Sequence, residues 1–265
     1  PKTYRCLHLI EVQNQHANLS ELVTHVSYGP DEAQRLNVMR CDPHARSDET
    51  VLVFTHGGYW MEGNRDMFNY IAHGLHAHNI TVVNLGYRLA TVGSGLDCCV
   101  DDVVSGISKV QELFPMSKLY LAGHSAGGHL IMAALPRLPT IEGICKVFCV
   151  SGIYDLQPIT ATTVGVQIGF TPDQVVKFSI CPHPRYDELE LCLIVGEFDP
   201  PEFYKQADSF SKQMQHKGFH RPQIVILPGE DHFSLVENLF YQKAPLTLCF
   251  AGLYDANRRR VRAKL

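Results

Sequence analysis

Segments with the pattern of buried β-strands alternate with segments of helical periodicity along most of the 265-residue sequence. Apolar runs such as Val51–Thr55 and Thr81–Leu85 are rich in β-branched residues, which favours strands. Between and after them, residues 64–78 and 96–114 space their apolar side chains as one face of a helix does. Parallel strands need helical crossovers of this kind, so the alternation predicts an α/β fold, with a mostly parallel central sheet and helices on both faces.

Two segments depart from this alternation. Leu22–Tyr28 and Gln34–Arg40 are short half-apolar runs joined by a Gly-Pro-Asp turn, which predicts an N-terminal antiparallel hairpin at the sheet edge. Residues 151–188 are rich in Pro, Gly and Thr and are interpreted as an irregular insert between two strands. No internal repeat or linker divides the sequence, so we expect one domain over residues 1–265.

The composition excludes several classes of function. Hydrophobic residues make up 45% of the chain and charged residues 19%, as in an ordinary globular protein. The 23 Lys and Arg against 27 Asp and Glu give a net charge of −4, which argues against the basic face of a nucleic-acid binder. No apolar run reaches the roughly 20 residues of a membrane span. We expect a small-molecule partner and neither nucleic acid nor membrane, with a homodimer left open. The basic cluster at residues 258–264 is interpreted as the solvated end of a last helix.

The nine cysteines indicate a reducing compartment. Cys145, Cys149 and Cys192 lie inside apolar runs, and free cysteine behaves as a small buried hydrophobe. The count is odd, and the adjacent Cys98 and Cys99 match no zinc or redox spacing. We therefore expect reduced, buried cysteines and a cytoplasmic protein. The sequence does not begin with the pattern of a secretory signal. Whether a targeting segment was removed before residue 1 stays open.

The pentapeptide GHSAG at Gly123–Gly127 lies between the strand-like run Leu119–Ala122 and a helix that extends to about Leu135. In this setting a G-x-S-x-G sequence forms a tight strand-to-helix turn, whose glycines let the backbone double back and expose the serine hydroxyl. The N-terminus of the following helix points at the same place and favours developing negative charge. Ser125 is the predicted nucleophile.

The sequence HGGYW at residues 56–60 directly follows the predicted strand Val51–Thr55. Glycines there permit a loop whose backbone N–H groups point at an acyl group on the nucleophile. We expect the N–H groups of Gly57, Gly58 and Ala126 to form an oxyanion hole. The structural alternative is a tight glycine turn that ends a strand.

A serine nucleophile needs a base, and the base needs a carboxylate that orients it. Asp199 follows the next-to-last predicted strand and His232 follows the last one, which gives the chain order expected for this kind of serine turn. Glu197 is the rival for the acid. Asp231 is expected to face outward or to cap the following helix.

The other histidines give no metal or cofactor pattern. His73 and His76 are one helical turn apart, but no carboxylate or cysteine lies at ligand spacing beside them. His124 is expected to pack beside the nucleophile. The sequence holds no phosphate-binding glycine loop and no dinucleotide fingerprint. We therefore expect neither a metal nor a cofactor.

These segments resemble the α/β-hydrolase fold and, within it, the kynurenine formamidase (arylformamidase) family. The resemblance to the fold lies in four blocks: His56–Gly58, Gly123–Gly127, Asp199 and His232. The narrower resemblance lies in longer stretches: HGGYW at 56–60, GHSAG continued by His129 and Leu130, VSGIYDLQPI at 150–159 and LVTHVSYG at 22–29.

The resemblance implies a serine hydrolase that cleaves N-formyl-L-kynurenine to L-kynurenine and formate, a step of tryptophan degradation. Ser125 would attack the formyl carbon while His232 takes its proton. The aromatic leaving group requires a pocket, for which Tyr59, Trp60 and Tyr154 are candidates. The irregular insert is expected to help form that pocket.

Two alternatives stay open. A general carboxylesterase for small aryl or short-chain esters would share every predicted catalytic residue, and Tyr87–Ala90 is similar to the esterase group. A hydrolase-fold binding module that has lost catalysis would have a broken triad, whereas all three members have candidates here.

Overall fold

The buried apolar runs form the strands of one eight-stranded sheet in the computed structural model, which describes residues 22–42 and 50–255. The strands are β1 (Val23–Ser27), β2 (Arg35–Met39), β3 (Thr50–Thr55), β4 (Ile80–Leu85), β5 (Lys118–His124), β6 (Ile144–Val150), β7 (Glu190–Gly196) and β8 (Gln223–Leu227). Their spatial order is β1-β2-β4-β3-β5-β6-β7-β8. Strands β3 to β8 run parallel, whereas β1 and β2 form the expected antiparallel edge.

Helices connect the strands and cover the sheet. The α-helices are α1 (Ile71–His76), α2 (Asp97–Leu113), α3 (Ala126–Ala134), α4 (Thr163–Ile168), α5 (Pro172–Phe178), α6 (Pro184–Asp187), α7 (Pro201–His216), α8 (Ser234–Glu237) and α9 (Pro245–Phe250). The predicted fold class is therefore confirmed. The basic cluster at residues 258–264 lies outside the described residues.

The sheet is buried on both faces because each parallel strand sends alternate side chains to opposite sides. In β3, Val51 and Val53 belong to the core that includes buried residues of α2, α3 and α7. Leu52 and Phe54 belong to the second core, which includes residues of α1, α8 and α9. A strand buried on both faces reads as a continuous apolar run, and this explains why β3 was recognisable from sequence.

Two expectations about local structure were wrong. Residues 64–78 form a 3-10 turn, Arg65–Phe68, followed by α1 rather than one helix. The Asn64 side chain begins the turn by accepting hydrogen bonds from two backbone N–H groups. The insert 151–188 is not irregular, since it contains α4, α5 and α6.

The cysteines follow the expectation in part. All eight that lie in the described residues are free, and Cys99, Cys149 and Cys192 are buried. Cys145 and Cys181 are exposed, which corrects the prediction of burial. Cys145 is the second residue of β6 and is exposed although Ile144 before it is buried, because successive side chains of a strand point to opposite faces. In residues 22–42 and 50–255, no helix is long and apolar enough to cross a membrane.

A buried carboxylate joins the hairpin edge to the helical layer. Asp102 of α2 is 1% exposed and accepts hydrogen bonds from Gln34 Nε2 at 2.7 Å and from the backbone N–H of Arg88 at 2.8 Å. The Arg88 guanidinium binds both of its oxygens at 2.7 to 3.2 Å. Together these donors compensate for the cost of burying the charge.

We expect Asp102→Ala to lower the free energy of unfolding by about 3 kcal/mol, because it leaves several donors without their acceptor. Asp101→Ala is the matched control, since Asp101 lies on the same helix in an exposed ion pair with Arg137 and should cost less than about 1 kcal/mol. Urea unfolding measures both variants. Equal losses would contradict a structural role for the buried network.

Candidate active site

The turn between β5 and α3 holds Ser125 in a strained backbone conformation. Its φ is 53° and its ψ is −118°, which places it in a region that side-chain-bearing residues rarely adopt. A Cβ on Gly123 would clash with the backbone of Gly127, and one on Gly127 would clash with the carbonyl oxygen of Thr55. The glycines of the pentapeptide are therefore required sterically, as the sequence pattern predicted.

The loops after β7 and β8 bring Asp199 and His232 together. Asp199 Oδ1 accepts a hydrogen bond of 2.8 Å from His232 Nδ1. The donation uses the Nδ1 proton and leaves Nε2 of a neutral ring as the proton acceptor. The pair therefore has the arrangement of a histidine base and its orienting acid, in the order that the sequence predicted.

The Asp199 carboxylate is buried but well supplied with donors. Burial alone would raise its pKa, but hydrogen bonds from His232, Ser151 and the backbone N–H of Gly196 together outweigh it and lower the pKa below its usual range. Ser151 Oγ donates at 2.6 Å and Gly196 N at 2.7 Å. The acid is thus kept ionised beside His232.

The two rival acids have other partners. Glu197 Oε2 accepts a hydrogen bond of 2.7 Å from the backbone N–H of Gly229. Asp231 Oδ1 accepts from the backbone N–H groups of Phe233 and Ser234, which confirms its predicted place as a cap at the start of α8. The geometry therefore favours Asp199 as the acid.

His124 packs against the base, as expected. Its Nε2 donates to the backbone carbonyl of His232 at 2.8 Å, and the two ring centroids are 4.6 Å apart. Burial, together with the nearby His232, lowers the pKa of His124 to about 3. A neutral His124 therefore holds the loop that carries His232 without competing as a base at neutral pH.

The glycine loop after β3 lies beside the serine. A Cβ on Gly57 would come within 3.1 Å of the Cβ of Ser125 and 2.9 Å of the carbonyl oxygen of His124. His56 Nδ1 donates to the carbonyl of Gly57 at 2.7 Å, and the stacked ring of Tyr87, 4.4 Å away, holds the imidazole in place. Since C=O and N–H point in opposite directions in a trans peptide, this bond turns the N–H of Gly58 away from His56.

A pocket of about 250 Å³ opens between this loop and α8. Its lining includes both glycines of the loop, the ring of His124 and a largely apolar wall: Met67, Phe68, Tyr70, Phe233 and Val236. Glu62 and Glu237 supply its carboxylates. These apolar lining residues were not predicted from the sequence. Phe233 was recoverable because it follows His232, whereas Phe68 and Tyr70 were hidden in a segment interpreted as one helix.

Of the three aromatic residues expected in the pocket, Trp60 and Tyr154 are buried in the core, which corrects the expectation for them, whereas the role of Tyr59 stays a prediction. Trp60 is fully buried and donates from Nε1 to His129 Nδ1 at 3.1 Å, in the core. Tyr154 is 3% exposed and stacks on Phe210. Tyr59 is half exposed and is not among the residues lining the pocket. The helices of the insert pack on the core and its residues line a cleft of about 390 Å³, while its part in forming the substrate pocket stays a prediction.

The histidine pair of α1 serves packing. His73 Nδ1 bonds to the carbonyl of Phe240 at 3.0 Å, and His76 Nε2 bonds to that of Met39 at 3.1 Å. In the part of the chain that the structure describes, no three His, Cys, Asp or Glu residues are grouped so that they could hold a metal ion.

The mostly parallel sheet, the strained serine turn after β5 and the Asp–His pair after β7 and β8 define an α/β-hydrolase. A family described as having the alpha/beta hydrolase fold matches residues 52–174. A solved structure described as a thioesterase, from Silicibacter sp. tm1040, superposes with a TM-score of 0.79 at 23% identity and covers 90% of this chain and 89% of its own. At that identity the likeness shows the fold alone.

Curated relatives identify the family within this fold. The kynurenine formamidase of Danio rerio is 32% identical over 246 residues, covering 87% of this chain and 81% of the relative. The kynurenine formamidase of Salmo salar is 31% identical over 235 residues, covering 83% of this chain and 78% of the relative. The chain therefore belongs to the kynurenine formamidase family.

Buried histidines make the fold sensitive to acid, and His129 is the clearest case. Its Nδ1 accepts from Trp60 and its Nε2 donates to the carbonyl of Phe178 at 2.8 Å, so a second ring proton has no acceptor. Burial lowers the pKa of His129 to about 4. The unfolded chain takes up this proton below about pH 6.5. The stability is therefore complete above that pH and is lost as the pH falls towards 4.

We expect the free energy of unfolding to be lower at pH 5 than at pH 7.5, with His129 accounting for about 2 kcal/mol of the difference. His129→Gln keeps one donor and one acceptor without a titrating ring, so it should reduce the pH dependence by about that amount. Urea unfolding at both pH values measures it. An unchanged pH dependence in the variant would contradict this assignment.

Proposed function

We propose that this protein hydrolyses the formamide bond of N-formyl-L-kynurenine to give L-kynurenine and formate. Membership in the kynurenine formamidase family supports the substrate. The observation that carries the chemistry is the hydrogen bond between His232 and Asp199 in the loops that follow β8 and β7, at the same edge of the sheet as the strained turn at Ser125.

In the proposed mechanism Ser125 is the nucleophile, His232 the base and Asp199 the orienting acid. The Asp199 carboxylate holds the Nδ1 proton of His232, so that Nε2 takes the proton of the serine hydroxyl as the oxygen attacks the formyl carbon. Asp199 stays ionised throughout and stabilises the imidazolium that forms.

The developing oxyanion needs donors fixed before the reaction begins. We assign this role to the backbone N–H groups of Gly57, Gly58 and Ala126. The approach of Gly57 to Ser125 supports the assignment, as does the bond from His56 that fixes the orientation of the Gly57–Gly58 peptide. Ala126 is the first residue of α3, so its N–H is one of the unsatisfied donors at the helix start. Each such donor is typically worth about 3 kcal/mol of barrier.

Collapse of the tetrahedral intermediate releases the aromatic amine. His232 gives its proton to the aryl nitrogen as the C–N bond breaks, which leaves a formyl ester on Ser125. Water, activated by the same imidazole, then attacks the formyl carbon and releases formate. The wall formed by Phe68, Tyr70 and Phe233 supports a planar aromatic group next to the reacting bond.

A general carboxylesterase is the alternative function, since it uses the same three residues and the same oxyanion hole. The two differ in what the pocket accepts and not in the chemistry at Ser125. A binding module without catalysis fits less well, because the residues proposed for base and acid are hydrogen-bonded as catalysis requires.

We also propose that the protein acts in the cytoplasm without metal or cofactor. The eight free cysteines of the described residues support a reducing compartment. The proposed hydrolysis uses only protein groups and water, so a chelator should leave the rate unchanged.

The decisive measurement is kcat/KM of the purified protein for N-formylkynurenine and for a nitrophenyl acetate. We expect a clear preference for the formamide, and Ser125→Ala should lower turnover of both substrates by at least about 10³-fold. The same assay with a chelator tests the absence of a metal. A preference for the ester by several orders of magnitude would overturn the formamidase assignment and favour the esterase.

The identity of the acid is tested by a matched pair of isosteric changes. Asp199→Asn should lower kcat by about 10⁴-fold, because the amide cannot orient and stabilise the imidazolium of His232. Glu197→Gln lies two residues away and should change kcat by less than about threefold, since it only weakens a bond to the backbone of Gly229. The reverse order of losses would assign the acid to Glu197.

A further inference from the structure

A buried serine lies on the far side of Asp199 from His232. Ser151 follows β6 directly and is fully buried. Its Oγ donates to Asp199 Oδ2 at 2.6 Å, while His232 Nδ1 donates to Oδ1 of the same carboxylate at 2.8 Å. The two side chains therefore hold the acid from opposite oxygens.

The backbone at Ser151 is strained. Its φ is 47°, in the left-handed region, where glycine carries no penalty and other residues do. Its N–H donates to the carbonyl of Ile194 at 2.7 Å, so the conformation is fixed by the neighbouring strand β7. A side chain that only filled space would be better replaced by glycine here. Strain of this kind persists where the side chain has a function.

We propose that Ser151 is a positioning residue for catalysis, which holds the Asp199 carboxylate in the plane and orientation that His232 needs. The proposal rests on the proposed triad. Ser151 does not touch the reacting atoms and acts through Asp199. Its donation also withdraws negative charge from the carboxylate, which limits how strongly Asp199 attracts the proton on His232.

Loss of this hydroxyl should shift the pH dependence of the activity in one direction. Without it, Asp199 carries more negative charge towards His232 and stabilises the imidazolium more strongly, so we expect the acid limb of the activity profile to move upward. The other titratable groups around the pair are His124 on β5, Tyr204 on α7, Glu197, and Glu230 and Asp231 in the loop before His232. The substitution at Ser151 leaves all of them in place.

The test compares two variants that remove the hydroxyl in different ways. Ser151→Ala keeps the backbone strain, and Ser151→Gly relieves it. We expect both to lower kcat by roughly tenfold with KM changed less than about twofold, and to move the acid limb of kcat/KM upward by about half a pH unit. The glycine variant should be the more stable of the two, so a folding defect in the alanine variant does not hide the result.

The matched control is Ser211→Ala. Ser211, on α7, is also fully buried, and its hydroxyl accepts a hydrogen bond from Arg221 Nε, away from Asp199. We expect this variant to lose stability while its kcat and acid limb stay at the wild-type values. Wild-type kcat and pH profile in both Ser151 variants would overturn the proposal, as would an equal shift in the control.

Both substrates are used in these assays. A nitrophenyl ester reports on the triad even if N-formylkynurenine is not turned over, so failure of the substrate assignment and failure of the Ser151 proposal give different results. If the Ser151 variants show no shift of the acid limb with either substrate, the Ser151 proposal is wrong and the proposed substrate is unaffected.

Discussion

The reversal of the chain at Ser125 is the constraint on which the rest of the site depends. The backbone leaves β5 and enters α3 through a single residue of left-handed conformation. The start of α3 can approach the end of β3 because Gly127 has no Cβ, which would clash with the carbonyl oxygen of Thr55. On the other side the turn donates a hydrogen bond, from the N–H of Ser125 to the carbonyl of Val150 on β6. The serine is thus fixed by both neighbouring strands, and the loop after β3 lies beside it.

The energetic difficulty of the site is the burial of a carboxylate next to a base. Burial raises the pKa of Asp199, and an acid that became neutral would no longer hold the proton of His232. The fold solves this with three donors from three different segments: the loop after β8, the residue after β6 and the end of β7. His124 faces the opposite problem, because it must stay neutral, and burial together with the nearby His232 achieves that by lowering its pKa. One low-dielectric environment therefore keeps one group charged and its neighbour uncharged, according to the hydrogen bonds each receives.

The sequence predicts those features that depend on the backbone. Parallel strands end at one edge of a sheet, so the order of Ser125, Asp199 and His232 along the chain was enough to predict that the loops would converge. The pocket was not predictable in the same way, because an aromatic residue in an apolar segment has the same pattern whether it lines a cavity or fills the core. Trp60 illustrates this. Consecutive positive φ angles at Tyr59 and Trp60 turn the indole away from the glycine loop and into the core. No periodicity in the sequence reveals such a turn.

The division between chemistry and selectivity follows from this arrangement. The serine turn, the glycine loop and the Asp–His pair are held by contacts that an esterase of the same fold can share, so in the proposed mechanism they do not choose a substrate. The apolar wall of the pocket comes instead from residues 67–70, at the 3-10 turn and just after it, and from residues 233–236, at the start of α8, two short segments that carry no proposed catalytic residue. Because α8 begins right after His232, any change that moves Phe233 or Val236 also moves the loop of the base, and His124 limits that movement by its bond to the carbonyl of His232. In the enzyme we propose, selectivity can therefore change freely on the side of the 3-10 turn, whereas on the side of α8 it is coupled to catalysis.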